Sequence, residues 1–221
     1  MAAQAVKIAV LGAESTGKTE LTRALAAHLA AQGRSVTLVP EVLREWCEAR
    51  GRVPVASEQL AIAQEQARRV DEATGDVVVS DTGPLMIAVY SHMLFADESL
   101  YGMALAHQRG YDLTLVTGID LPWVADGLRD GPHAQEPTDS LLRAALARGG
   151  ISYKVIYGSG PERLQNTLSA LPGQGPAGKL RRAPGANEAW AWSCDKCSDP
   201  VCEHRLFTGL LQSKAAGRPG P

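Results

Sequence analysis

Residues 12 to 20 read GAESTGKTE, and from Gly12 to Thr19 they fill the pattern Gly-x-x-x-x-Gly-Lys-Thr directly after the apolar run Val6, Ile8, Ala9, Val10, Leu11. A loop that cradles polyphosphate must leave a strand and open a helix, because its backbone N–H groups and the helix N-terminus together offer positive partial charge to the anion. Both flanks are present: residues 5 to 11 predict a short buried strand, and Leu21, Leu25 and Leu29 recur at helical spacing beyond the loop. Gly12 and Gly17 let the backbone curl round phosphates with no Cβ in the way. Lys18 is expected to reach the β- and γ-phosphates as a point charge, and the Thr19 hydroxyl to ligate Mg²⁺. Glu14, Ser15, Thr16 and Glu20 complete the expected nucleotide-contacting stretch.

A second chemical group stands at the end of another apolar run. "DVVVSDT" places Asp81 where a carboxylate can orient Mg²⁺ or accept a proton from an attacking hydroxyl. Capping the next helix is its alternative role. Glu41 and Arg44 follow the run "RSVTLVP" and are expected to face the same crevice, whereas Glu45 reads as a surface ion-pair partner. Further along, "LPWVADGLRDG" carries Trp123, Asp126 and Arg129 between glycines, a segment able to close over phosphates and bring an arginine to the charge that develops on a transferred group.

Strands and helices must position these groups. Strands are expected at 5–11, in "RSVTLVP" up to Pro40, in "DVVVSD", in "DLTLVTG" and in "SYKVIYG". Helices are expected after the phosphate loop, over "EVLREWCEAR" up to Gly51, from an N-cap at Ser57 with Leu60, Ala63, Ala67 and Val70 on its apolar face, from Pro84 to Phe95, and from about Ser99 to Arg109. Residues 122 to 148 read as helix broken by Gly127, Gly131, Pro132 and Pro137, and Leu164, Leu168 and Leu171 mark a last helix with Ser159 near its start. This alternation implies a doubly wound, five-stranded parallel α/β sheet of the P-loop NTPase type, with Gly12, Pro40, Asp81 and Gly158 gathered beyond the strands' carboxyl ends.

With 221 residues, the chain is long enough for one such domain over residues 1–171. Residues 172–189 hold three Pro and four Gly and read as a linker; residues 190–221 form a small Cys/His appendage. There, Cys194, Cys197, Cys202 and His204 offer three thiolates and an imidazole, the ligand set of structural Zn²⁺; free thiols in a tail and redox or iron–sulfur chemistry are the alternatives. A formal charge of −2 gives no global footprint for nucleic acid, and the seven Lys/Arg against four Asp/Glu in residues 172–221 are too few to suggest one. No apolar run has the length of a membrane helix, and a cytoplasmic setting is expected. Cys47 reads as a buried small apolar residue, and His28, His92, His107 and His133 show no ligand spacing.

"GAESTGKT", "EVLRE", the Asp-Thr pair at 81–82 and above all "WVADGLR" resemble the ribosylnicotinamide kinase domain of bifunctional NAD-biosynthesis regulators and the wider group of kinase-like P-loop ATPases, over about residues 5 to 171. The resemblance implies transfer of the γ-phosphoryl of ATP to a riboside hydroxyl, with Mg²⁺ and a mobile lid. It assigns Gly17, Lys18 and Thr19 to triphosphate and metal, Asp81 to the acceptor hydroxyl and Arg129 to the lid, so that Lys18, Asp81 and Arg129 form the catalytic set and Glu41, Arg44, Asp81, Trp123 and Asp126 the acceptor side. Two departures fall on that side: Gly83 stands where an Asp is usual, and Pro40 where an aromatic precedes the Glu. An ATP-dependent switch without a small-molecule acceptor is the alternative. A GTPase is not supported, because Gly83 comes one position early for Asp-x-x-Gly and no Asn-Lys-x-Asp is present.

Overall fold

The computed structural model describes residues 5–122 and 134–171. Five strands, β1 (Val6–Leu11), β2 (Val36–Val39), β3 (Val77–Asp81), β4 (Leu113–Thr117) and β5 (Lys154–Ile156), form one parallel sheet in the order β2-β3-β1-β4-β5. Between them run α1 (Lys18–Ala31), α2 (Val42–Arg50), α3 (Ala56–Glu72), α4 (Pro84–Phe95), α5 (Tyr101–Gln108), α6 (Gln135–Arg148) and α7 (Gly160–Ala170). The doubly wound arrangement expected from the sequence is the one observed. Because all strands are parallel, every strand's carboxyl end opens on the same edge of the sheet.

Strand periodicity of two sorts β1 between two cores. Ile8 and Val10 face a layer with Leu21, Leu25 and Leu29 of α1 and Leu168 of α7, together with Val77, Val79 and Leu115 of the neighbouring strands. Ala9 and Leu11 face the opposite layer, which holds Val42 of α2, Ile62 and Ala63 of α3, Leu142 and Leu146 of α6 and most of α4. From Pro84 to Ser91 every residue of α4 is buried, as expected for a helix that is apolar all round and enclosed by others.

Two details of α3 correct the sequence reading. The helix begins one residue before Ser57, with Val55 at the N-cap; Glu58 accepts the Val55 N–H at 2.9 Å and pairs with Arg52, satisfying the helix start without the Ser57 hydroxyl. Its buried face is Gln59, Ile62, Ala63, Gln66 and Val70, while Leu60 is 45 % exposed. The two glutamines occupy core positions that an apolar pattern would give to Leu60 and Ala67. The expected fifth strand is short, and α5 starts at Tyr101 rather than Ser99. The broken helical stretch resolves into α6 from Gln135, with residues 123–133 outside the described residues.

Candidate functional site

The loop between β1 and α1 is shaped by residues with positive φ: Gly12 at 146°, Ser15 at 54° and Gly17 at 74°. At Gly12 a Cβ would collide with the Thr117 side chain, so this position needs a glycine for space as well as for conformation. Thr117, at the end of β4, donates to the Leu11 carbonyl at 3.2 Å and meets the Thr16 hydroxyl at 2.6 Å, while Thr16 also reaches the Ala13 carbonyl at 2.7 Å. Hydroxyls thus pin the loop to the strand beside it.

Lys18 opens α1 and is 5 % exposed. Its Nζ curls back to the Ala13 carbonyl at 2.6 Å, an oxygen that marks where the ammonium is held inside the loop's own ring. The next residue, Thr19, lies near enough to Asp81 for its side chain to draw the acid's pKa down. The β1–β3 register, in which Val10 stands opposite Asp81, brings the two sites together.

Asp81 is 4 % exposed and its Oδ1 has no hydrogen-bond partner among the described residues. Burial pushes its carboxyl above the usual carboxylate range and Glu41's charge adds to that, with the Thr19 side chain and the charges of Lys18 and Arg44 opposing. Thr82 follows at φ 69°, its N–H on the Val10 carbonyl at 3.0 Å and its own carbonyl accepting from the Ser80 hydroxyl at 2.6 Å. These bonds hold a left-handed turn at a non-glycine residue, immediately after the acid.

Across the crevice, Glu41 precedes α2 and is 8 % exposed, with the Arg44 Nε 3.5 Å from its Oε2. Gln66 of α3 fixes this corner: its Oε1 accepts the Val42 N–H at 2.8 Å and its Nε2 donates to the Pro40 carbonyl at 3.2 Å, bracketing Glu41 on both sides. A cavity of ≈ 160 Å³ is lined by Ser15, Thr16, Gly17, Lys18, Thr19, Glu20, Glu41 and Arg44. Pro40 and Gly158 sit in loops at this sheet edge without lining that cavity. Glu45 pairs instead with Arg69 at 2.5 Å, as a surface reading requires, and Cys47 is buried with its thiol pushed up, mainly by desolvation.

Several contributors escaped the sequence reading. Arg163 of α7, 3 % exposed, donates to the Thr16 carbonyl and pairs with Asp120, whose other oxygen takes the Gly158 N–H at 2.6 Å. Gln135 of α6 donates to the Glu14 carbonyl at 2.8 Å. The sequence signals here were Gly158 and Gly160, positive-φ turn residues between β5 and α7, the first of which gives its N–H to Asp120. Trp123, Asp126, Arg129 and the Cys194, Cys197, Cys202 and His204 cluster lie outside the described residues. Among the described residues no group of three or more His, Cys, Asp or Glu could hold a metal ion, and no helix is long and apolar enough to cross a membrane.

The fold has solved relatives. A crystal structure of NadR protein in complex with NR is matched with a TM-score of 0.62 and 21% identity over 82% of this chain. One of NadR protein in complex with NAD and AMP-PNP is matched with a TM-score of 0.59 and 19% identity over 75% of this chain. The matches span 54% and 48% of those chains, about half their lengths, so the likeness is one of fold. No curated protein matches. A family model described as an AAA domain matches residues 7–163, most of the chain, and on that match the protein belongs to this AAA-domain family (AAA_28).

Proposed function

We propose that this protein is an ATP- and Mg²⁺-dependent phosphotransferase whose acceptor is a small riboside-type hydroxyl compound. The observation that carries the reading is the meeting of the loop's Thr19 with the buried Asp81, one of whose oxygens is left for a further partner. An acceptor-poised acid beside the phosphate loop is what transfer to a hydroxyl requires.

In this reading the amides of residues Gly12 to Glu20 and the Lys18 ammonium hold the triphosphate. The Thr19 hydroxyl and Asp81 carboxylate fit Mg²⁺, being hard oxygen donors that the β1–β3 register sets near each other. When bound, Mg²⁺ supplies neutralisation of the phosphate oxygens. Asp81 Oδ1, without a hydrogen-bond partner among the described residues, accepts the proton of the acceptor hydroxyl or orients it. Glu41 and Arg44 bind the acceptor's polar groups from the α2 side. Trp123 and Asp126 complete the acceptor side, and Arg129 closes over the transferring group. The NadR structures, one with NR and one with NAD and AMP-PNP, lend support by fold. We further propose that Cys194, Cys197, Cys202 and His204 bind one structural Zn²⁺ in a 190–221 tail joined by a 172–189 linker, which metal analysis of the purified chain tests.

The deciding experiment supplies γ-labelled ATP, Mg²⁺ and a panel of nucleosides and ribosides. Label on a riboside is the expected result. Release of label only as free phosphate, with every acceptor unmodified, overturns the transferase reading in favour of an ATP-dependent switch.

A further inference from the structure

Two side chains from distant helices grip the phosphate loop at its back. Gln135, the first residue of α6, holds the carbonyl of Glu14, and Arg163 of α7 holds the carbonyl of Thr16; both contacts are buried. Neither side chain lines the cavity, so both carbonyls are drawn to the side away from it. Every peptide bond of the described residues is trans, and in a trans peptide the C=O and the following N–H point in opposite directions. Holding the Glu14 and Thr16 oxygens outward therefore turns the N–H groups of Ser15 and Gly17, two residues that do line the cavity, inward.

This orientation is not guaranteed by the loop itself. With positive φ at Ser15 and Gly17, the segment lies outside the regular helix ladder, and a turn peptide can reverse with little movement of its flanking Cα atoms, as type I and type II turns show. A reversed plane would aim a carbonyl oxygen at an anion. The cost of Arg163's position is visible: its Nε is buried without a partner among the described residues. Its bonds to Thr16 and Asp120 are what offset that burial. Asp120 also anchors the Gly158 N–H, so the guanidinium ties the β4 and β5 loop ends to the phosphate loop in one connected unit.

We propose that Arg163 and Gln135 are positioning residues that set the polarity of the phosphate loop, withholding two carbonyl oxygens from the anion site and committing the Ser15 and Gly17 amides to it. The inference rests on the phosphate-binding reading of the loop but not on any acceptor. Because Asp120 neutralises Arg163 locally, the effect is one of geometry more than of long-range charge.

Calorimetric titration of the full chain with ATP and with inorganic tripolyphosphate tests it. Arg163→Met is expected to weaken both ligands by the same factor, about tenfold or more, the loss of a charge-assisted bond. Gln135→Met is expected to weaken both by a smaller common factor, and Arg163→Lys, which keeps one donor for Thr16, to recover most of the affinity. Thermal melts establish that each variant is folded. Should Arg163→Met fail to fold, Asp120→Asn, which loosens the guanidinium without removing its donors, is expected to weaken ATP and tripolyphosphate equally. Loss of ATP affinity with tripolyphosphate unchanged would mean that Arg163 acts on the nucleoside part, and sinks the proposal. So do folded variants that bind both ligands as the wild type does. A wild-type chain that binds neither ligand removes the nucleotide reading as well, which separates the two failures.

Discussion

Val10 and Asp81 are register partners across β1 and β3, and this one pairing delivers a buried carboxylate to the start of the phosphate loop two residues after Val10. The acid is there desolvated by burial, with the Thr19 side chain near enough to oppose the effect in part. Its position is set by the sheet, not by a surface loop.

Asp81→Asn should separate stability from activity. A folded-state pKa above the unfolded value means that the native state favours the protonated acid; that contribution is present below the unfolded pKa and is lost as pH rises through the folded one. At neutral pH the ionised Asp81 therefore costs stability, and the Asn variant is expected to melt at a higher temperature than wild type. The difference should shrink on acidification. Phosphoryl transfer should fall on the order of a hundredfold or more. Melting curves at several pH values and transfer rates check both.

Lys18→Ala removes the ammonium that sits inside the loop ring. Turnover of ATP should drop on the order of a hundredfold, with ATP affinity reduced in direct titration. A variant that bound and turned over ATP normally would refute the assignment of Lys18.

Gln66→Leu removes the partner of the buried Val42 N–H and of the part-buried Pro40 carbonyl. A loss of about 1–3 kcal/mol in unfolding free energy is expected from denaturant titration. Because Gln66 frames Glu41, the KM for the riboside acceptor should rise more than that for ATP.

Gly12→Ala places a Cβ at φ 146° against Thr117. Strain and overlap together should cost at least about 1–3 kcal/mol, and nucleotide binding should be lost in the fraction that folds. Circular dichroism with ATP titration measures each part.

The strand-loop-helix frame was legible because its signals are local. Glycines at 12 and 17 sit in an eight-residue pattern, and Leu21, Leu25 and Leu29 repeat on one helix face, all three buried as the spacing implies. Pro84 to Phe95 was legible end to end, since Pro suits the first helical turn and the segment is apolar but for Ser91 and His92. What stayed hidden is polar and non-local. Gln59 and Gln66 are almost fully buried, yet glutamine on a helix usually marks a wet face; Ala63 and Val70 of the expected stripe are buried, while Leu60 and Ala67 give their places to these neighbouring glutamines. Arg163 and Gln135 reach the phosphate loop across 147 and 121 residues of chain, distances over which no periodicity carries information. Ser57 was chosen as a cap by residue type, whereas the carboxylate of Glu58 performs that task from inside the helix.

The enclosure of α4 has a mechanical consequence. A rod packed on every side from Pro84 to Ser91 cannot swing without opening the interior, so the wall that bears Asp81 is the stationary jaw of the crevice. Any tightening around a guest must come from elsewhere, and the α2 side is the more lightly anchored: it buries Val42 and Cys47 fully and Leu43 and Trp46 in part, with Gln66 holding its start.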